Sequence, residues 1–223
     1  MNKISKHRKN TPKIVSTADG SSTMFSSQFD EHYHSVHGAI TESNHVFIQA
    51  GFHYLQKPEI CLLEIGFGTG LNALLTLQEA IRTKRNVHYF AVEKYPVMQE
   101  LIAQLSYPED IQLPDKEIFT KIHACQWHKN IVLHDYFTLH KIFADFTDFS
   151  LSGLPLFDLV YFDAFSPEKQ PEMWSDTVFH RLFAHLNTPS ALTTYCAKGL
   201  VKRKLRNAGF LVKRLPGPPR KHH

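Results

Sequence analysis

Residues 62–75 read LLEIGFGTGLNALL. An apolar run carrying one acid, Glu64, leads into three glycines on alternate positions, Gly66, Gly68 and Gly70, and a Leu/Ala pattern then resumes. The run predicts a buried strand and the pattern after it a helix, joined by a tight turn. Glycines there permit positive φ and let the main chain approach a ligand closely, while the opening turn of the helix aims free amides at it. A dinucleotide fingerprint, G-x-G-x-x-G, wants glycine at position 71, where this chain has Leu71. A carboxylate at Glu64 would repel a pyrophosphate but helps hold a cationic ligand, such as an ammonium or a sulfonium.

Working outward, the chain alternates strands and helices. Strands are predicted at 60–65, 87–93, 137–145, 157–165, 191–196 and 210–215. Helices are predicted at 71 to about 81, from Pro96 through Leu105, after a Ser175 cap, and over Val201–Ala208 up to Gly209. Such alternation predicts an α/β fold, a parallel sheet with helices on both faces. Ahead of it, IVSTADGSST (14–23) predicts a hairpin around Asp19-Gly20, and HVFIQAGFHYL (45–55) a helix. The expected division is a hairpin and cap segment over 1–55 and the α/β domain over 56–223.

Bulk properties narrow the class. The 223 residues are 43% apolar, enough for one sizeable core. No window approaches the roughly 18 consecutive apolar residues of a membrane helix, and no apolar segment follows the basic N-terminus as a signal peptide demands. Cys61, Cys125 and Cys196 lie far apart without a CxxC, which fits a reducing cytoplasm and provides no zinc site. The net charge of +4 conceals an asymmetry. Residues 1–13 carry five Lys/Arg and 196–223 carry nine, with no acid in either, leaving 11 basic against 21 acidic residues between them. Basic ends on an acidic body are what a polyanion binder can show, and equally what solvated tails show.

In a parallel sheet, ligands bind beyond the carboxyl ends of the strands. Four successive strands deliver acids there: Glu64, Glu93, Asp145 and Asp163, with Phe146 and Phe165 beside the last two. Glu93 can accept both hydroxyls of a ribose, Asp145 the exocyclic amine of an adenine, and Phe146 can stack on the ring. Together with the glycine turn this is a nucleoside site tolerant of a cation, which fits S-adenosylmethionine better than NAD. The expected cofactor residues are Glu64, Gly66, Phe67, Gly68, Thr69, Gly70, Asn72, Glu93, Lys94, Asp145 and Phe146.

Seven blocks in order carry a wider resemblance: FDEHYHS (29–35), GAITESNHVFI (38–48), LLEIGFGTGLNALL (62–75), YFAVEKYP (89–96), DLVYFDAFSPEKQPEMW (158–174), YCAKGLVKRKLRNAGF (195–210) and LPGPP (215–219). In these the chain resembles the methyltransferase family that forms the 5-methylaminomethyl group of 2-thiouridine in tRNA. The resemblance implies a class I, Rossmann-like methyltransferase, with S-adenosylmethionine as cofactor and no metal. It implies as acceptor the primary amine of 5-aminomethyl-(2-thio)uridine at the wobble position, in the anticodon loop. The flavin oxidase domain that accompanies many members is absent from these residues, so the stand-alone form is expected. The family continues past LPGPP with a GKREM-like segment forming a last strand; here the chain reads RKHH, so that strand is expected to be truncated. Residues 106–136 match poorly and are expected to be an insertion with a short helix.

Within the resemblance Asp163 meets the acceptor amine, either taking its proton or only orienting it. The segment EHYHSVHG (31–38) closes over the site, with Tyr33 and Glu42 in the pocket. Phe165 and Lys169 contact the nucleotide, and Trp174 is pocket wall or plain core. Lys198, Lys202, Arg203, Lys204 and Arg206 crowd one loop and helix whose Val201, Leu205 and Ala208 face inward, an RNA-binding face or a solubilising one. His32, His34 and His37 match no common zinc spacing. Two rival readings remain: a methyltransferase of the same fold acting on a small-molecule amine, and an NAD-linked oxidoreductase.

Overall fold

The computed structural model describes residues 12–111, 113, 115 and 117–217. Three short strands, β1 (Lys13–Ser16), β2 (Ser22–Ser26) and β3 (Glu31–His32), form an antiparallel sheet. Its first turn is the predicted Asp19-Gly20 hairpin, with Asp19 Oδ1 accepting from the Thr17 and Ser21 hydroxyls at 2.6 Å each. Helix α1 (Ala39–Ser43) runs directly into a π-helical segment, Asn44–Phe52. The main sheet follows: β4 (Glu59–Ile65), α2 (Leu71–Thr83), β5 (Asn86–Glu93), the short helices α3 (Gln99–Ile102), α4 (Tyr107–Asp110) and α5 (Ile118–Ala124), and β6 (Asn130–His134). Then come β7 (Phe137–Phe143), β8 (Phe157–Phe162), α6 (Asp176–Phe183), β9 (Leu186–Thr193) and α7 (Gly199–Asn207).

The sheet order is β6-β7-β5-β4-β8-β9. Every neighbouring pair is parallel except β6 with β7. From β4 the chain winds outward through β5 to β7, then returns to β8 on the other side, so the winding reverses between β4 and β8. All six residues of β8, FDLVYF, are buried, because helices cover both faces of this central strand. One face packs on α2, α5 and the π-helical segment, through Phe47, Phe52, Leu74 and Phe119. The other packs on α6 and α7, through Phe162, Trp174, Phe179 and Val201. Ser175 caps α6 as expected, its Oγ accepting from Val178 N at 3.3 Å, a contact of the kind worth about 1 kcal/mol.

Several expectations are corrected. Residues 210–215 form no strand; among the described residues nothing pairs with the outer edge of β9, and Leu211 is 96% exposed. An isolated extended segment has no hydrogen-bonding partner and no strand results. The strand expected at 191–196 begins earlier, at Leu186, because a register shift against β8 absorbs Thr188-Pro189. The sheet is mixed rather than wholly parallel, since 130–134 supplies the antiparallel edge strand that a two-strand turn allows. Of the helix expected from Pro96 through Leu105 only Gln99–Ile102 is helical, and Met98 before it is extended.

Candidate active site

The turn after β4 is held by neighbours on both sides: Gly66 N donates to Val92 O at 3.0 Å, and Asp163 N donates to Ile65 O at 2.9 Å. Gly66 has φ +88° and Gly68 φ +48°, both left-handed. A Cβ on Gly68 would lie 3.0 Å from the Tyr33 ring. Bare main chain therefore forms the wall of a cleft of about 330 Å³, lined by Gly66, Phe67 and Gly68, by the ends of β5, β7 and β8, and by residues 31–36 and 42–43 from above. Its place, at the carboxyl ends of β4 and β8, is the switch point of the sheet.

Each expected strand-end acid but one reaches this cleft. Glu93 accepts from Gly68 N at 3.0 Å and Tyr95 N at 2.5 Å; burial raises its pKa, against the backbone amides that favour the charged form. These bonds use two of the roughly four acceptor positions of a carboxylate. For Asp145, burial pushes the carboxyl up, but hydrogen bonds from Lys94 (2.5 Å) and Thr147 outweigh it and hold it below the usual range. Phe146 also lines the cleft, with the Arg181 guanidinium 4.7 Å from its ring centroid.

Asp163 lies just past β8. Burial pushes its carboxyl up to about 7; a hydrogen bond from Asn72 Nδ2 (2.9 Å) works against this, and the nearby Glu42 charge adds to it. Above it Phe165 stacks on Phe29, ring centroids 4.4 Å apart, and meets the Tyr33 ring edge-on at 5.1 Å. The covering segment is clasped to the loop after β8: Ser166 N and Oγ both donate to Glu31 Oε2, at 3.0 and 2.8 Å.

Other expected residues stand elsewhere. Glu64, Thr69, Gly70 and Asn72 are buried behind the turn and do not line the cleft. Glu64 is 0% exposed, since β4 is covered on both faces, and burial together with the Asp163 charge raises its pKa well above the carboxylate range. Lys169 is turned to Asp30 at 2.9 Å and Lys198 to Glu168, so both sit outside the cleft in ion pairs. Trp174 is core, 2% exposed, with Nε1 donating to Phe165 O. On α7, Lys204 donates to Trp174 O, whereas Arg203 and Arg206 are exposed and Lys202 half-buried.

The three histidines diverge. His34 bonds Thr69 Oγ1 at 2.8 Å and is pushed by burial down to about 4; His32 packs edge-on against Phe25; His37 is exposed. Among the described residues no three His, Cys, Asp or Glu side chains are grouped to hold a metal, and no helix is long and apolar enough to cross a membrane. The cleft residues that escaped the sequence reading include Glu31, Glu172, Tyr195, whose hydroxyl donates to Ala164 O at 2.9 Å, and Gln170, which accepts from Phe165 N. None of these is a charge at the end of a main-sheet strand, the pattern that marks Glu93, Asp145 and Asp163 in the sequence.

A doubly wound sheet with this glycine turn and a carboxylate at each following strand end is a class I, Rossmann-like methyltransferase. Residues 88–223 match the profile of a family described as S-adenosyl-L-methionine-dependent methyltransferase. The chain belongs to that family, and its cofactor is S-adenosylmethionine. It is also similar to proteins named tRNA 5-methylaminomethyl-2-thiouridine biosynthesis bifunctional protein MnmC. The one from Magnetococcus marinus is 34% identical over 217 residues, 91% of this chain and 32% of the relative. That from Cupriavidus metallidurans is 32% identical over 213 residues, 87% and 31%. The chain thus spans about a third of the length of these relatives. The solved structure of MNMC2 from Aquifex aeolicus has the same fold, with a TM-score of 0.77 at 24% identity over 96% of this chain and 69% of that one.

The cleft fits the cofactor. Six carboxylates line it, Glu31, Glu42, Glu93, Asp145, Asp163 and Glu172, against one lysine, Lys94. That balance favours a cationic sulfonium and opposes the pyrophosphate of NAD.

Proposed function

We propose that the chain methylates the primary amine of 5-aminomethyl-(2-thio)uridine at the wobble position of tRNA, giving 5-methylaminomethyl-(2-thio)uridine. The observation that carries this reading is Asp163: an acid with its pKa near 7 in a negative cleft suits an acceptor that arrives as a cation and must lose a proton. The name of the similar proteins, which places them in tRNA 5-methylaminomethyl-2-thiouridine biosynthesis, supports the nucleoside.

Bound S-adenosylmethionine supplies a methyl group activated by its sulfonium. Glu93 holds the ribose hydroxyls, Asp145 and Phe146 the adenine, and the bare turn at Gly66–Gly68 the methionine end. A primary aliphatic amine is mostly ammonium at neutral pH, and its lone pair is free only after deprotonation. Asp163 hydrogen-bonds the ammonium and, as carboxylate, accepts its proton; a base with pKa near the working pH suits this task. Tyr33, Phe165 and Glu42 hold the nucleoside, and the segment before residue 56 serves as the cap excluding water. The phosphates stay outside the acidic cleft, on Lys202, Arg203 and Arg206 of α7. Of the rival readings, a small-molecule amine acceptor has the same cleft and no use for that helix.

Nucleoside analysis of tRNA after incubation with the chain and S-adenosylmethionine tests the proposal. Gain of 14 mass units on 5-aminomethyluridine, with none on other nucleosides, is expected; methylation of free amines but not of tRNA contradicts it.

A further inference from the structure

Asn72 opens the first turn of α2, is 2% exposed, and lies between two carboxyl groups. Its Nδ2 donates to Glu64 Oε1 at 3.0 Å and to Asp163 Oδ2 at 2.9 Å, so both amide hydrogens are used, one on each acid. The opposite amide orientation would set Oδ1 against two carboxyl oxygens. Neither Asn72 nor Glu64 is among the residues that line the cleft, and both are buried. We infer that Asn72 and Glu64 are positioning residues for Asp163, not cofactor ligands: the enclosed amide, fixed from behind by Glu64, aims the Asp163 carboxylate into the cleft.

Three further observations agree. Asn72 O accepts from Thr76 Oγ1 at 2.7 Å, an additional bond on the helix that carries the amide. Glu64 Oε2, the oxygen that Asn72 does not use, and the OH of the neighbouring Tyr89 are both buried without a hydrogen bond of good geometry. A neutral Glu64, its proton on Oε2 beside Tyr89, presents Oε1 as a plain carbonyl acceptor and avoids two anions around one amide. The charge that bears on Asp163 is that of Glu42 on α1, and the Asp163 charge in turn raises the pKa values of Glu64 on β4, Tyr89 on β5 and Tyr195 after β9. Only Asn72 among the neighbours donates a side-chain hydrogen bond to it in the described residues, so removing that donor acts in one direction.

The inference rests on Asp163 being the group that meets the amine, and its test needs no acceptor. The full chain, saturated with S-adenosylhomocysteine, is labelled with carbon-13 at Asp carboxyls. The Asp163 signal is assigned by its loss in Asp163→Asn and titrated by NMR, and S-adenosylhomocysteine affinity is measured by calorimetry. A hydrogen bond to a carboxylate favours the charged form, so Asn72→Ala should raise the Asp163 midpoint by about one pH unit or more. Affinity should stay within about threefold. Should Asn72→Ala not fold, Asn72→Ser keeps a hydroxyl in the enclosure but cannot span both acids, and should shift the midpoint the same way. Glu64→Gln keeps a carbonyl for Asn72 and should leave the midpoint in place; Glu64→Leu frees the amide and should raise it by less than Asn72→Ala. A tenfold loss of affinity with an unmoved midpoint would make the pair cofactor-binding residues. No change in either would make it packing alone; both results overturn the inference. A wrong acceptor nucleoside would leave these titrations as they are.

Discussion

A Cβ atom on Gly66 would lie 2.5 Å from the carbonyl oxygen of Asp163. The contact is backbone against backbone, in a strand pairing that cannot shift without opening the sheet. Gly66 also has φ +88°, which side chains disfavour. Gly66→Ala is therefore expected to lower stability by about 1–3 kcal/mol and to abolish measurable S-adenosylhomocysteine binding. Thermal denaturation and calorimetry read the two effects separately.

Glu93 is tied to the same turn through Gly68 N. Glu93→Ala removes both the proposed ribose acceptor and the anchor of Gly68. S-adenosylhomocysteine should bind about 10- to 100-fold more weakly, with a smaller loss for Glu93→Gln, which keeps one acceptor oxygen.

The pH dependence of methyl transfer follows from Asp163. Its carboxylate is the active form, and it prevails only above about 7. The rate at saturating substrates should rise with pH through about 7 and level off above it. Asp163→Asn should flatten this limb and lower the rate by about 100-fold or more, at nearly unchanged cofactor affinity.

Stability runs the other way. The Asp163 pKa is raised from 3.8 to about 7, so across that window the folded chain binds more protons than the unfolded one. Stability due to this group is thus greatest below 3.8 and falls as pH rises towards 7. Asp163→Asn, which needs no proton, should stabilise the chain at pH 8 by on the order of 1–3 kcal/mol and little at pH 4. Thermal melts at the two pH values measure this difference, and equal melts for both proteins at pH 8 would contradict it.

Much of the fold was legible because local pattern and tertiary role agree. FDLVYF is apolar almost throughout because both faces of β8 are covered, and Gly66 is glycine because no side chain fits. Where partners decide, pattern misled. The residues at 210–215 look like a strand but have no neighbour to pair with among the described residues, and 130–134 was unremarkable alone yet pairs with β7. The site divides in the same way. Strand-end acids were found by position, but burial of Glu64 and the two-sided bond of Asn72 depend on side-chain packing that spacing does not encode. Likewise Lys169 and Lys198 carry the charge expected of RNA contacts, while the structure sets Asp30 and Glu168 against them.

That difference separates the basic residues by experiment. Among the described residues Lys202, Arg203 and Arg206 form no ion pair, so they are open to phosphate. Replacing each with Ala should reduce the salt dependence of tRNA binding by about one unit of log–log slope. Lys169→Ala and Lys198→Ala should have smaller effects, since a phosphate must first displace a carboxylate. Filter binding over a salt series distinguishes them.

The central claim is that the amine meeting Asp163 belongs to 5-aminomethyluridine in tRNA. Its most direct measurement is transfer of labelled methyl from S-adenosylmethionine to tRNA carrying that nucleoside, beside tRNA lacking the aminomethyl group. Label on the first alone, lost in Asp163→Asn while S-adenosylhomocysteine still binds, is the expected result. Equal label on both tRNAs, or undiminished transfer by Asp163→Asn, would contradict it.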